Sequence, residues 1–234
     1  MINLQFLFSM RFANTGKNSI VTFTKAQKMR RRYRIIRQSA AHIARAALRT
    51  LPSLKDTSLE HETHFTDRML GRIEESMEGY IVNGVTWRAK TLTDRASGSQ
   101  EKTYGADFAG VLEIALSDYQ VKKGFLAQGK LLLPNKRLDR REYARTQEQC
   151  KLMLELSPAS FVFVYTLDDI FVIPAISIVS SQFCDLSELY KRGIARFFEE
   201  HFESFIGDRR VNQATRQGLT DLNARRLLTL TAQG

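Results

Sequence analysis

The sequence predicts an α/β domain, a mixed sheet flanked by helices and led by a basic helical arm, and three observations carry that prediction. Stretches with apolar residues three and four apart alternate along the chain with short runs rich in Val, Ile, Leu and Phe. The 234 residues are enough for one domain with its own core and too few for two large ones. Charge is segregated: residues 1–55 hold twelve basic and no acidic residues, whereas the other 179 hold 23 basic and 25 acidic. The expected organisation is therefore a basic arm over residues 1–55, a domain over 56–208 and a polar, basic tail over 209–234.

In the arm, Ile43, Ala47 and Leu51 recur at helical spacing after an arginine cluster, and Pro52 ends the helix. Asp56, Thr57 or Ser58 offers an N-cap for a second helix, whose stripe of Phe65, Met69, Ile73 and Met77 should pack on a sheet. Glu62 borders that stripe. Tyr80 to Thr93 reads as a hairpin or a strand, with Asn83-Gly84 as the turn. The polar stretch Asp94 to Lys102 reads as a mobile loop. Asn135 to Arg141 is a basic connection to a helix with Tyr143, Cys150, Met153 and Leu154 inward. Ala159 to Val179 follows as an apolar hairpin turning at Leu167-Asp168-Asp169, dense enough in Val, Ile and Phe for at least one of its strands to be central. A last amphipathic helix should bury Leu189, Ile194, Phe197, Phe198, Phe202 and Phe205, with a short helix at Leu219 to Leu230 in the tail.

The chemistry is expected between Tyr104 and Pro134. Asp107 opens the apolar run Phe108–Leu116, a polar break follows at Ser117 to Lys123, and a second strand then carries Gln128 and Lys130 in its middle. Polar groups in an apolar strand are costly unless used. Residues two apart face one side, so Gln128 and Lys130 project together, away from Phe125, Ala127 and Leu131. If the strands are neighbours, Asp107 lies beside them. Gln-x-Lys also occurs at Gln100, Gln120 and Gln149, and only the Gln128 copy falls inside an expected strand.

A helix with an acidic residue, an Asp opening one strand, Gln-x-Lys on the next and then a helix resembles the PD-(D/E)xK nuclease superfamily, in its Mrr-like branch where glutamine replaces the second carboxylate. The segments GADFAGVLEI and KGFLAQGKL are similar to the metal-binding and lysine strands of nuclease domains in bacterial antiphage defence proteins; Gln149-Cys150, SFVFVY and FIGD follow in the same order. The resemblance covers roughly Leu59 to Asp208. It implies a restriction-endonuclease-like fold and a DNA endonuclease using Mg²⁺ or Mn²⁺, with Asp107, Gln128, Lys130 and Glu62 as site residues. Asp107, Glu62 and the backbone carbonyl near Gly129 would be the metal ligands, and Lys130 would orient the water or stabilise the charged phosphorane. Glu74 and Glu75 are substitutes for Glu62. Glutamine in place of a carboxylate removes one negative charge, so a non-catalytic nucleic-acid-binding or assembly subunit stands as the alternative.

The remaining features narrow the partners. The arm suits a polyanion, and its composition also matches an organelle presequence. Two cysteines make neither a disulfide framework nor a metal cage, which points to a reducing cytoplasm. No apolar run approaches the ~20 residues needed to span a bilayer, so no membrane partner is expected. His61 and His64 lack a third zinc ligand nearby, and Glu113 lies ~20 Å of strand from Asp107. With the core spent on catalysis, recognition is expected to come from a homo-oligomer or a defence-system partner subunit.

Overall fold

The computed structural model describes residues 24–55, 62–93, 105–132 and 137–234. Its elements, in chain order, are α1 (Lys25–Leu48), α2 (Pro52–Lys55), α3 (Glu62–Met77), β1 (Ile81–Val82), β2 (Val85–Thr93), β3 (Phe108–Leu116) and β4 (Tyr119–Leu131). They continue with α4 (Arg140–Leu156), β5 (Ser160–Tyr165), β6 (Ile170–Pro174), α5 (Ala175–Ser180), β7 (Arg192–Gly193), α6 (Ile194–Phe202), α7 (Arg216–Asp221) and β8 (Arg226–Gln233). Among the described residues, eight strands form one mixed sheet in the order β1-β2-β8-β3-β4-β5-β6-β7. Only β3 with β8 and β4 with β5 run parallel.

Helices cover both faces, as an α/β sheet with apolar residues on both sides requires. Phe108, Phe125, Phe163 and Leu228 face α1, α3 and α6, while Leu126, Val162, Val164 and Leu227 face α4, α5 and α7. The α3 stripe of Phe65, Met69, Ile73 and Met77 is buried as its spacing predicts. Asn83 and Gly84 both take positive φ, 48° and 76°, which gives the β1–β2 turn the twist of a primed hairpin. Asp139 and Glu142 form a reciprocal cap on α4, the crossover that lets β5 lie parallel to β4. All six residues of β5 are buried, so this strand is interior on both faces.

Several segments differ from expectation. The basic helix is not a detached arm: Ile36, Ala40, Ile43 and Ala47 of α1 are buried, and α1 packs on α3 and α6. Its alanines give close approach with little apolar bulk, a weak signal in sequence. Residues 1–23 lie outside the described residues, as do the expected N-cap at 56–58, the loop at 94–102 and residues 133–136.

The tail is not an appendage either. In place of a helix running to Leu230, α7 ends at Asp221 and β8 inserts between β2 and β3. Leu228, Leu230 and Ala232 alternate onto the α3 side, the period of a strand.

The last helix begins only at Ile194, because Arg192 and Gly193 are paired to β6. Phe205 falls beyond the helix and is 75% exposed, and Leu189 packs against the opposite cluster. The segment after Pro174 is helical rather than a continued strand. Leu154 is only partly buried.

Candidate active site at the overrun of β4

In the β3–β4 hairpin Phe108 stands opposite Ala127, and the pairing stops there. Asp107 is one step outside β3, and Gln128 one step further along β4, so the two are cross-strand neighbours. By strand parity both share the α4 face with Ala109 and Leu126. β4 then continues four residues past its last β3 partner while β5 still pairs with it on the other side.

That overrun leaves backbone N–H groups turned towards the space β3 no longer fills, and a buried N–H needs a partner. Two carboxylates supply them. Gly129 N donates to Asp107 Oδ2 at 2.8 Å, and Leu131 N donates to Glu62 Oε1 at 3.2 Å. Gln128 Nε2 donates to the same Asp107 oxygen at 2.5 Å and lies 3.5 Å from the Gly129 carbonyl. Lys130 Nζ donates to Glu62 Oε2 at 3.2 Å. Glu62, Asp107, Gln128, Gly129 and Lys130 therefore meet at one strand end, drawn from three separate stretches of sequence.

Glu62 reaches the strand because α3 docks closely on it. A Cβ at Gly129 would stand 2.9 Å from Thr66 Oγ1 and 2.9 Å from the Tyr165 ring, so only glycine leaves room for the helix. Thr66 Oγ1 and Tyr165 Oη lie 3.0 Å apart across this contact, and Thr66 also donates to the Glu62 carbonyl at 3.0 Å. The Tyr165 hydroxyl sits in the interior, where burial pushes its pKa up and keeps it protonated.

Burial also pushes the Asp107 carboxyl above its ordinary range. The Gly129 N–H and the Lys130 ammonium oppose that shift, the Glu62 charge adds to it, and Arg226 opposes it. Arg226 is a residue the sequence reading missed. It is almost wholly buried at the start of β8, with Nε and Nη2 on the two carboxylate oxygens of Asp67 in α3. The signal was its strand parity with Leu228 and Leu230, which becomes visible only when the tail is read as a strand.

Other candidates are placed elsewhere. β4 begins at Tyr119, not at Gly124, so Gln120 and Lys122 also lie on a strand; Lys122 pairs with Glu113 at 3.0 Å, at the far end from Asp107. Glu74 accepts from Thr91 N at 3.0 Å and Glu75 pairs with Arg72 at 3.1 Å, so neither is at the site. His61 lies outside the described residues.

The oxygens gathered here are two carboxylates, the Gly129 carbonyl and the Gln128 amide. Gln128 Oε1 is buried with no hydrogen-bond partner, a neutral acceptor oxygen left unused. Among the described residues no three His, Cys, Asp or Glu side chains cluster around one point. This set fits a hard cation that takes one or two carboxylates and keeps much of its water; it does not fit a cation needing a full protein cage. No helix among the described residues is long and apolar enough to cross a membrane. Comparison of the chain with protein-family models, with curated proteins and with solved structures gives no match.

Proposed function

We propose that the chain is a metal-dependent DNA endonuclease with a restriction-endonuclease-like fold, which hydrolyses phosphodiester bonds at the overrun of β4. The observation that carries this reading is the meeting of Asp107, Gln128 and Gly129 with the Glu62–Lys130 pair. The element order supports it: a helix carrying Glu62, an antiparallel pair carrying Asp107 and Lys130, a crossover helix and a parallel strand. The sequence likeness to antiphage nuclease domains supports a role as effector of a bacterial defence system in the cytoplasm. Its activation is assigned to a second copy or a partner subunit.

Bound Mg²⁺ or Mn²⁺ would neutralise developing charge and acidify water. Asp107, Glu62, the Gly129 carbonyl and Gln128 Oε1 would hold it. The chain's own contribution is preorganisation. Backbone donors fix both carboxylates before substrate arrives, and Glu62 aims the Lys130 ammonium, a fixed positive charge for the phosphate oxygens as water attacks phosphorus and the ester P–O bond breaks.

A non-catalytic nucleic-acid-binding or assembly role is favoured by one observation: the nitrogen of the Gln128 amide, not its oxygen, faces Asp107 and the Gly129 carbonyl. Full-length protein incubated with plasmid and Mg²⁺ or Mn²⁺, with and without chelator, tests the two. Nicking that is lost with chelator and in Asp107→Ala and Lys130→Ala is the expected result. Salt-sensitive plasmid retention with no cleavage in either ion would give the second reading.

A further inference from the structure

A groove of about 990 Å³ runs between α1, from Arg30 to Arg45, and the β1–β2 hairpin. It lies at the opposite end of the sheet from Asp107. β8 starts beside β3 with Leu227 opposite Ala109, and ends beside the hairpin with Gln233 opposite Thr86. The length of β8, roughly 23 Å at 3.3 Å per residue, therefore separates the two places.

One face of α1 lines this groove with Arg30, Arg34, Arg37 and Arg45, all on the solvent side of the helix. The acidic residue in the lining, Glu199, is shared between Arg37 and Arg196, each at 3.2 Å. Arg30 and Arg34 have no acidic partner among the described residues. The walls are tied together: Arg31 donates to the Asn83 carbonyl at 2.8 Å, and Asn83 Nδ2 donates to Gln38 Oε1 at 3.1 Å. Aromatic rings stand among the charges. Tyr33 is half exposed beneath the Arg37 guanidinium, 5.4 Å away, and Tyr80 is held by stacking on His42 at 3.9 Å.

Guanidinium groups without acidic partners match phosphate oxygens, and the half-exposed Tyr33 ring offers a base an aromatic surface. The concavity has the size of a small-ligand site, which suits an unpaired nucleotide better than a rigid duplex. We propose that this groove binds nucleotide phosphates whose bases are unpaired, within single-stranded nucleic acid or as free nucleotide. The site is independent of the hydrolytic reading, because it uses none of Glu62, Asp107, Gln128 or Lys130.

The test uses the full chain in chelator, so that cleavage plays no part. Anisotropy of a short labelled oligothymidylate is followed across a salt series, with ATP and unlabelled oligothymidylate as competitors. Three arginine contacts predict a slope of log affinity against log salt near −2, from about 0.7 per phosphate on a single strand. Arg30→Gln combined with Arg34→Gln and Arg45→Gln should lower affinity at least ~10-fold and flatten that slope. Tyr33→Ala should lose about 10-fold, and Tyr33→Phe should not. Displacement by ATP assigns the site to free nucleotide; displacement by the strand alone assigns it to polynucleotide.

The proposal is overturned by absence of binding in the wild type, or by undiminished binding in the triple variant. It is also overturned if a duplex of equal length binds as tightly and is lost with the same arginines, which would make the groove a general backbone track. Binding to phosphatidylserine vesicles but not to oligothymidylate would overturn it too. If the triple variant does not fold, the Tyr33→Ala and Tyr33→Phe pair decides the outcome.

Discussion

Asp67 in α3 grips Arg226 at the start of β8 through both carboxylate oxygens, and the guanidinium is sealed from solvent while the carboxylate remains half exposed. This pair pins the N-terminal half of α3, which carries Glu62, to a strand more than 150 residues away in sequence. The two partners differ in their need for each other. Arg226 Nη1 is already without a hydrogen-bond partner, so removing Asp67 would strand a buried charge, whereas Asp67 left alone can be hydrated. Asp67→Ala should therefore cost about 3 kcal/mol in urea unfolding, and Arg226→Met less. The double variant should be no less stable than Arg226→Met alone. Additive losses would show that the pair is not coupled.

The Asp107 carboxyl is held where burial disfavours its ionisation, a cost that the hydrogen bond from Gly129 N offsets only in part. Its folded pKa is raised, so its contribution to stability is greatest in acid, where the group is protonated, and is lost as pH rises through that raised value. Asp107→Asn keeps an acceptor for Gly129 N and removes the charge. At neutral pH in chelator the variant should melt at the same temperature as wild type or higher. Mg²⁺ or Mn²⁺ should raise the melting temperature of wild type alone, because a ligand stabilises only the state that binds it. A fall of several degrees in chelator would identify Asp107 as a structural anchor instead.

Local periodicity made much of this molecule legible. The α3 stripe, the Asn83-Gly84 turn and the interior strand β5 are written within a few adjacent residues, and the structure has them where the spacing puts them. Asp107, Gln128 and Lys130 were visible because polar groups inside an apolar run need a reason, and the hairpin register then brings Asp107 beside Gln128. What stayed hidden depends on distant partners. Arg226–Gln233 is too short to declare its conformation alone, and its neighbours β2 and β3 lie more than 100 residues earlier. Arg226 was hidden with it. The Glu62 contact to Leu131 N follows from β4 outrunning β3, a mismatch of strand lengths that no local pattern records.

His201 gives the molecule a calculable response to acid. Its ring is buried in α6 against Phe125 and Phe197, with Nδ1 3.3 Å from the Ile206 carbonyl. Burial first, and then the nearby Lys123 ammonium, hold its pKa down at about 3. An unfolded histidine takes up its proton near pH 6.5, so between about 6.5 and 3 the unfolded chain binds a proton that the folded chain refuses. Stability is full above that window and declines as pH falls, by about 1.4 kcal/mol per pH unit, or about 2 kcal/mol from pH 6.5 to 5. His201→Phe keeps a ring among the phenylalanines and leaves the Ile206 carbonyl the Lys123 ammonium, 2.5 Å away. Urea unfolding from pH 7 to 4 should show a shallower loss in the variant, by about that amount at pH 5. Parallel curves would mean that the folded protein accommodates the imidazolium, and that its acid sensitivity arises from other groups.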